Sequence, residues 1–186
     1  MSQNSPQRWF NLEEHFFHDV DQHLLDKLRE QAAVEQSAGA IMQVMGITDP
    51  ALAEEIAKID ITVETLAAFR LAPLVAVAWA DDRIEENERY VITRAAEKSG
   101  IKPEDPAMKL LESWTARRPS VDLLDAWCDY TKSLCGSLSE EHRRVLKQEV
   151  MEQVNAVAHA SGGFLGFGSV SPSEKAILSR IENAMS

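Results

Sequence analysis

The sequence is short of positive charge. It carries 19 lysines and arginines against 30 aspartates and glutamates, a formal net charge of -11. A chain so acidic repels nucleic acid and anionic membrane surfaces. Nucleic acid is therefore excluded as a partner, and cations or a basic protein surface are favoured. Cysteine is scarce too: Cys128 and Cys135 are the only two, and they form no CxxC pair. Their spacing of seven puts them on roughly one helical face, as a pair of reduced core thiols. No long apolar run is present. The best, Leu71 to Ala80, is about half of the roughly 20 residues that a bilayer span requires, so direct membrane insertion is not expected. The N-terminus, MSQNSPQRWF, is polar and lacks the apolar stretch of a secretion signal. The expected location is cytoplasmic.

What is present is helical pattern. No hairpin signal or strand alternation competes with it, and the expected fold is all-α, a bundle of about eight or nine helices. Residues 1–10 are expected to be disordered and 11–60 to form N-terminal helices packed on a domain spanning 61–186. Asn11 and Glu14 make a capping box before Phe17, Val20, Leu24 and Leu28. That first helix carries His15, His18 and His23, read as imidazoles on a solvated face. A second stretch covers 32–45 and stops at Gly46. Asp49-Pro50 and Thr62 open the next two helices. Pro73 implies a kink or a very short break within the apolar run. Helices then follow over 86–99, from Pro106 to Arg117, from a Ser120 cap to Gly136, from Ser137 or Ser139 to Ala160, and from Ser171-Pro172 to Met185.

The chain is organised around LAPLVAVAWADDRIEENERYVI, residues 71–92. An alanine-rich helix runs into Asp81, Asp82, Glu85, Glu86 and Glu88, and a second amphipathic helix starts there. An echo appears near the C-terminus. Val77, Ala78 and Ala80 align with Val157, Ala158 and Ala160. Beyond the turn, Ile84, Glu88, Arg89, Val91 and Ile92 align with Val170, Glu174, Lys175, Ile177 and Leu178. The fold thus has two similar helix-turn-helix halves, and the second turn is longer.

Glu88 falls in the first helical turn, where a carboxylate caps free N–H groups and meets the positive dipole end. Capping accounts for one acid, not five. Asp81, Asp82, Glu85 and Glu88 are the candidate metal ligands, hard oxygens suited to calcium or magnesium. The loop is not an EF-hand: counting from Asp81, position 3 is Arg83, position 6 is Glu86 and position 12 is Ile92. The glycine-rich SGGFLGFGSV, 161–170, lacks the lysine of a phosphate-binding loop. Its Phe164 and Phe167 suit a core or a partner groove. His159 is a further candidate ligand beside Glu174. Catalysis is not expected. Ser161 with His159, and Cys135 with His142, are pairs of sequence spacing alone, with no placed third group.

AWADDRIEENE resembles the recurring motif of the TerB-like, tellurite-resistance-associated family, in which a small-residue helix runs into Ala-Asp-Gly, a hydrophobic residue and an acid-rich helix start. The matching residues are Ala80, Asp81, Asp82, Ile84, Glu85 and Glu88. The second copy is Ala160, Ser161, Gly162, Phe164 or Val170, and Glu174. The resemblance covers about residues 60–184. It implies a pseudo-symmetric helical bundle with an acidic site at the turns, divalent-cation binding, and a role in stress response or membrane-linked complexes. Asp82 stands where that pattern has glycine, and Ser161 where it has a second aspartate. The competing expectation is a metal-free scaffold that binds a protein partner, or a second copy of the chain, through the glycine loop and the acidic surface.

Overall fold

The structure is a computed structural model that describes residues 26–160 and 170–186. Every regular element within them is helical. The Asn11 cap, the three early histidines, Ser161 and the Phe164/Phe167 loop lie outside the described residues.

Helix α1 occupies 26–45. It runs unbroken through Gln31 and Ala32, where the sequence suggested two separate stretches. No proline or capping residue interrupts that segment, and alanine costs nothing in a helix. Gly46 then takes a left-handed φ of 67° and stops it. Helix α2, Pro50–Lys58, starts as expected: Asp49 accepts a hydrogen bond from the Ala51 N–H at 2.9 Å, and proline sits in the first turn. Thr62 opens a 3-10 turn, Val63–Thr65, leading into the short α3, Leu66–Phe69. The chain breaks at Arg70 and Leu71, and α4 spans Ala72–Ala78. Pro73 is therefore a first-turn residue of a new helix, where its missing N–H leaves no bond unmade.

After the acidic turn comes α5, Glu86–Lys98. Gly100, at φ 84°, ends it: Ile101 N–H reaches back to Ala96 C=O at 3.1 Å and Gly100 N–H to Glu97 C=O at 3.0 Å. Helix α6 is Pro106–Ala116 and α7 is Asp122–Ser137. Gly136 was expected to close α7, yet it is inside the last turn, because a single glycine costs only about 1 kcal/mol against the packing of the whole helix. Helix α8 covers Glu140–Ala160 and α9 covers Pro172–Ala184.

Helix α4 is the hub. Ala72, Pro73, Leu74, Val75, Val77 and Ala78 are all buried, and the helix packs against α5, α7, α8 and α9. Each aliphatic side chain taken out of water there contributes about 1.5–3 kcal/mol. The apolar run that the sequence placed at the centre is thus the central element. Around it one buried cluster joins Ile41, Ile56, Phe69, Leu74, Ile92, Val154, Ile181 and Met185. Cys128 and Cys135 are both buried and free, and burial pushes both thiols up from their ordinary value. Among the described residues no helix is long and apolar enough to cross a membrane.

Candidate functional site: a carboxylate junction between two helical hairpins

The two hairpins, α4–α5 and α8–α9, end their turns alike. Each second helix begins with a glutamate at its third position. Glu88 is 2% exposed and Glu174 is 3% exposed. Glu88 Oε2 accepts the Glu85 N–H at 2.7 Å, and Glu174 Oε2 accepts the Ser171 N–H at 2.6 Å. Each carboxylate thereby satisfies a donor that the helix cannot. In the second turn Ser171 Oγ also accepts the Glu174 N–H at 3.1 Å. Helix α4 packs on both α8 and α9, and α5 packs on α8, so the two turns come to one end of the bundle.

The turns touch directly. Ser171 Oγ donates to Asp81 Oδ1 at 3.0 Å. The carboxylates of both hairpins consequently share one electrostatic environment. Burial pushes the Glu88 carboxyl up from 4.5 to about 7. Its backbone hydrogen bond from Glu85 pulls it down, and the neighbouring carboxylates of Glu85, Glu174 and Asp81 push it up again.

The four candidate ligands divide. Asp81 faces the second hairpin through Ser171. Glu88 is the buried cap. Glu85, the residue before α5, is within electrostatic reach of Glu88 and pairs loosely with Arg83 at 3.4 Å. Asp82 turns away: it is exposed, adopts a left-handed φ of 63°, and pairs with Arg118. Among the described residues no three His, Cys, Asp or Glu side chains converge on a point that could hold a metal ion. Glu174 and Ser171 lie at the same junction. The internal echo had aligned Glu174 with Glu88, and that alignment was the signal for it. The Asp81–Ser171 contact has no signal in local spacing.

Of the two sequence-spaced pairs, Ser161 with His159 includes a residue outside the described ones, and Cys135 with His142 is separated by burial. Cys135 is buried, whereas His142 is exposed and takes part in the α8 cap, with Nδ1 at 3.1 Å from Ser139 Oγ. His159 is exposed. The entrance to the acidic turn is anchored by Trp79, whose indole N–H donates to the Trp114 C=O at 2.8 Å.

Comparison of the chain with protein-family models, with curated proteins and with solved structures finds no match in any of the three.

Proposed function

We propose that the chain is a non-enzymatic, TerB-like helical binding protein whose two hairpin turns together take up a divalent cation, calcium or magnesium. The observation that carries this reading is that Asp81, tied to the second hairpin by Ser171, and Glu174 both act electrostatically on the buried Glu88; no three-ligand point is preformed among the described residues, so the ion would draw these carboxylates together. A buried carboxylate with like-charged neighbours resists ionisation unless a proton or a cation relieves it. At neutral pH a hard divalent ion relieves these charges more completely than a single proton on Glu88. The ligands in this reading are Asp81, Glu88 and Glu174, with Glu85 beside them. Asp82, paired with Arg118, has a backbone role instead. The stress-response role follows from the family resemblance alone.

Calorimetric titration of metal-stripped protein with calcium and with magnesium tests the reading. Saturable heat that Glu88→Gln or Glu174→Gln weakens supports it. Absence of heat with both ions, together with an unchanged melting temperature, removes it.

A second reading has its own observation. Each carboxylate of the junction already has a protein partner: Ser171 for Asp81, the Glu85 N–H for Glu88, the Ser171 N–H for Glu174. On that reading the acids are caps and ties, and the protein is a metal-free scaffold for a protein partner. The same titration separates the two.

A further inference from the structure

One exception to the acidic character of the chain is a groove of about 340 Å³ between α5 and α8. Its floor is apolar, formed by Val91 and Ala95 of α5 with Ala156 of α8. Arg94 and Lys98 line it, and none of its lining residues is acidic, in a chain that carries -11 overall. Tyr90 stands at one end and is 65% exposed, unusual for so large a ring on a helix that has a buried face available. Positions 90, 94 and 98 follow one another at helical spacing, so the aromatic and the two cations form one stripe along α5. Arg94 pairs with Glu97 at 2.6 Å, an exposed and easily exchanged contact. Among the described residues no ion pair engages Lys98.

We infer that this groove is a docking site for an acidic amphipathic helix of a partner protein. A third helix laid between two packed helices would set its apolar stripe on Val91, Ala95 and Ala156. Carboxylates on its flank would meet Arg94 and Lys98, and Tyr90 would cover one end. The exposed aromatic and the arginine are the residue types that anchor such interfaces. The charge selects the partner: a basic helix is refused by the groove even though the rest of the surface attracts it. The inference is independent of the cation reading, because none of the groove residues belongs to the carboxylate junction.

The test uses two synthetic helices that share a leucine stripe, one flanked by glutamates and one by lysines. Each is titrated into the isotopically labelled full chain while amide chemical shifts are followed. The glutamate helix is expected to saturate, with shifts concentrated on Tyr90 to Lys98 and the facing turn of α8. The double variant Arg94→Glu/Lys98→Glu should weaken it by at least about tenfold. Both positions are exposed, and an unchanged circular dichroism spectrum confirms that this variant folds. Equal binding of the two helices, or indifference to the charge reversal, overturns the inference. So does self-association of the chain that occupies this groove and is lost on the same reversal, since the occupant is then a second copy.

Discussion

Ser171 donates a hydrogen bond to Asp81 at 3.0 Å across a sequence separation of 90 residues. The same hydroxyl accepts the Glu174 N–H, so one small side chain both caps α9 and ties the second hairpin to the first. Ser171→Ala removes both bonds. The expected loss is about 1–2 kcal/mol, read as a lower urea midpoint with unchanged slope. A double-mutant cycle with Asp81→Ala should show coupling of about 0.5–1 kcal/mol. Strict additivity would mean the tie carries no energy.

The metal-free protein should lose stability as pH rises toward neutrality. Glu88 is raised in the fold from 4.5 to about 7, so the folded state holds its proton where the unfolded chain has released it. This contribution is fully present below about 4.5 and is lost as pH climbs to about 7. The loss is on the order of 3 kcal/mol at about 1.4 kcal/mol per pH unit. Glu88→Gln keeps an acceptor for the Glu85 N–H and cannot ionise, so its melting temperature should be flatter over that window. Parallel pH profiles for the two proteins would contradict the assignment.

Asp82 should tolerate glycine better than alanine. Its left-handed φ disfavours most L-residues, and aspartate is among the few that accept it. Asp82→Ala combines that strain with loss of the Arg118 pair and should cost about 1 kcal/mol. Asp82→Gly loses the pair but relieves the backbone, and the net change should be within about 0.5 kcal/mol of zero. Thermal denaturation of the two variants side by side measures the difference.

The small residue ahead of the first turn should resist enlargement. Ala78 ends α4 and is 2% exposed. Ala78→Leu forces extra methylenes into a closed site and should cost about 1–3 kcal/mol in chemical denaturation. A neutral result would show spare room at the end of α4.

Much of this architecture was legible locally. The caps at Asp49 and Ser171, the stops at Gly46 and Gly100, and the α5 and α9 starts are all written within four or five residues. The apolar run of 71–80 announced its own burial. Asp82 takes a left-handed φ of 63°, at the position where the motif it resembles has glycine. What local spacing does not encode is long-range pairing. The pairing of Asp82 with Arg118, 36 residues away, has no signal in local spacing. The groove of α5 and α8 has no local signal for the same reason: Arg94 and Lys98 line it with Ala156, which lies about 60 residues further along the chain. Gly136 shows the opposite failure, in which weak local punctuation is overridden by packing, and α1 continues through Gln31 and Ala32 because nothing in the sequence interrupts it.

The most direct test of the carboxylate junction is carbon-detected NMR titration of the Glu88 carboxyl in metal-free protein, repeated in Glu174→Gln. The account predicts a midpoint near 7 in the parent chain, lowered only in part by Glu174→Gln, because burial, the largest cause of the rise, remains. A Glu88 midpoint near 4.5, or one that ignores Glu174→Gln, would mean that the two glutamates cap their helices separately and that no shared site exists between the hairpins.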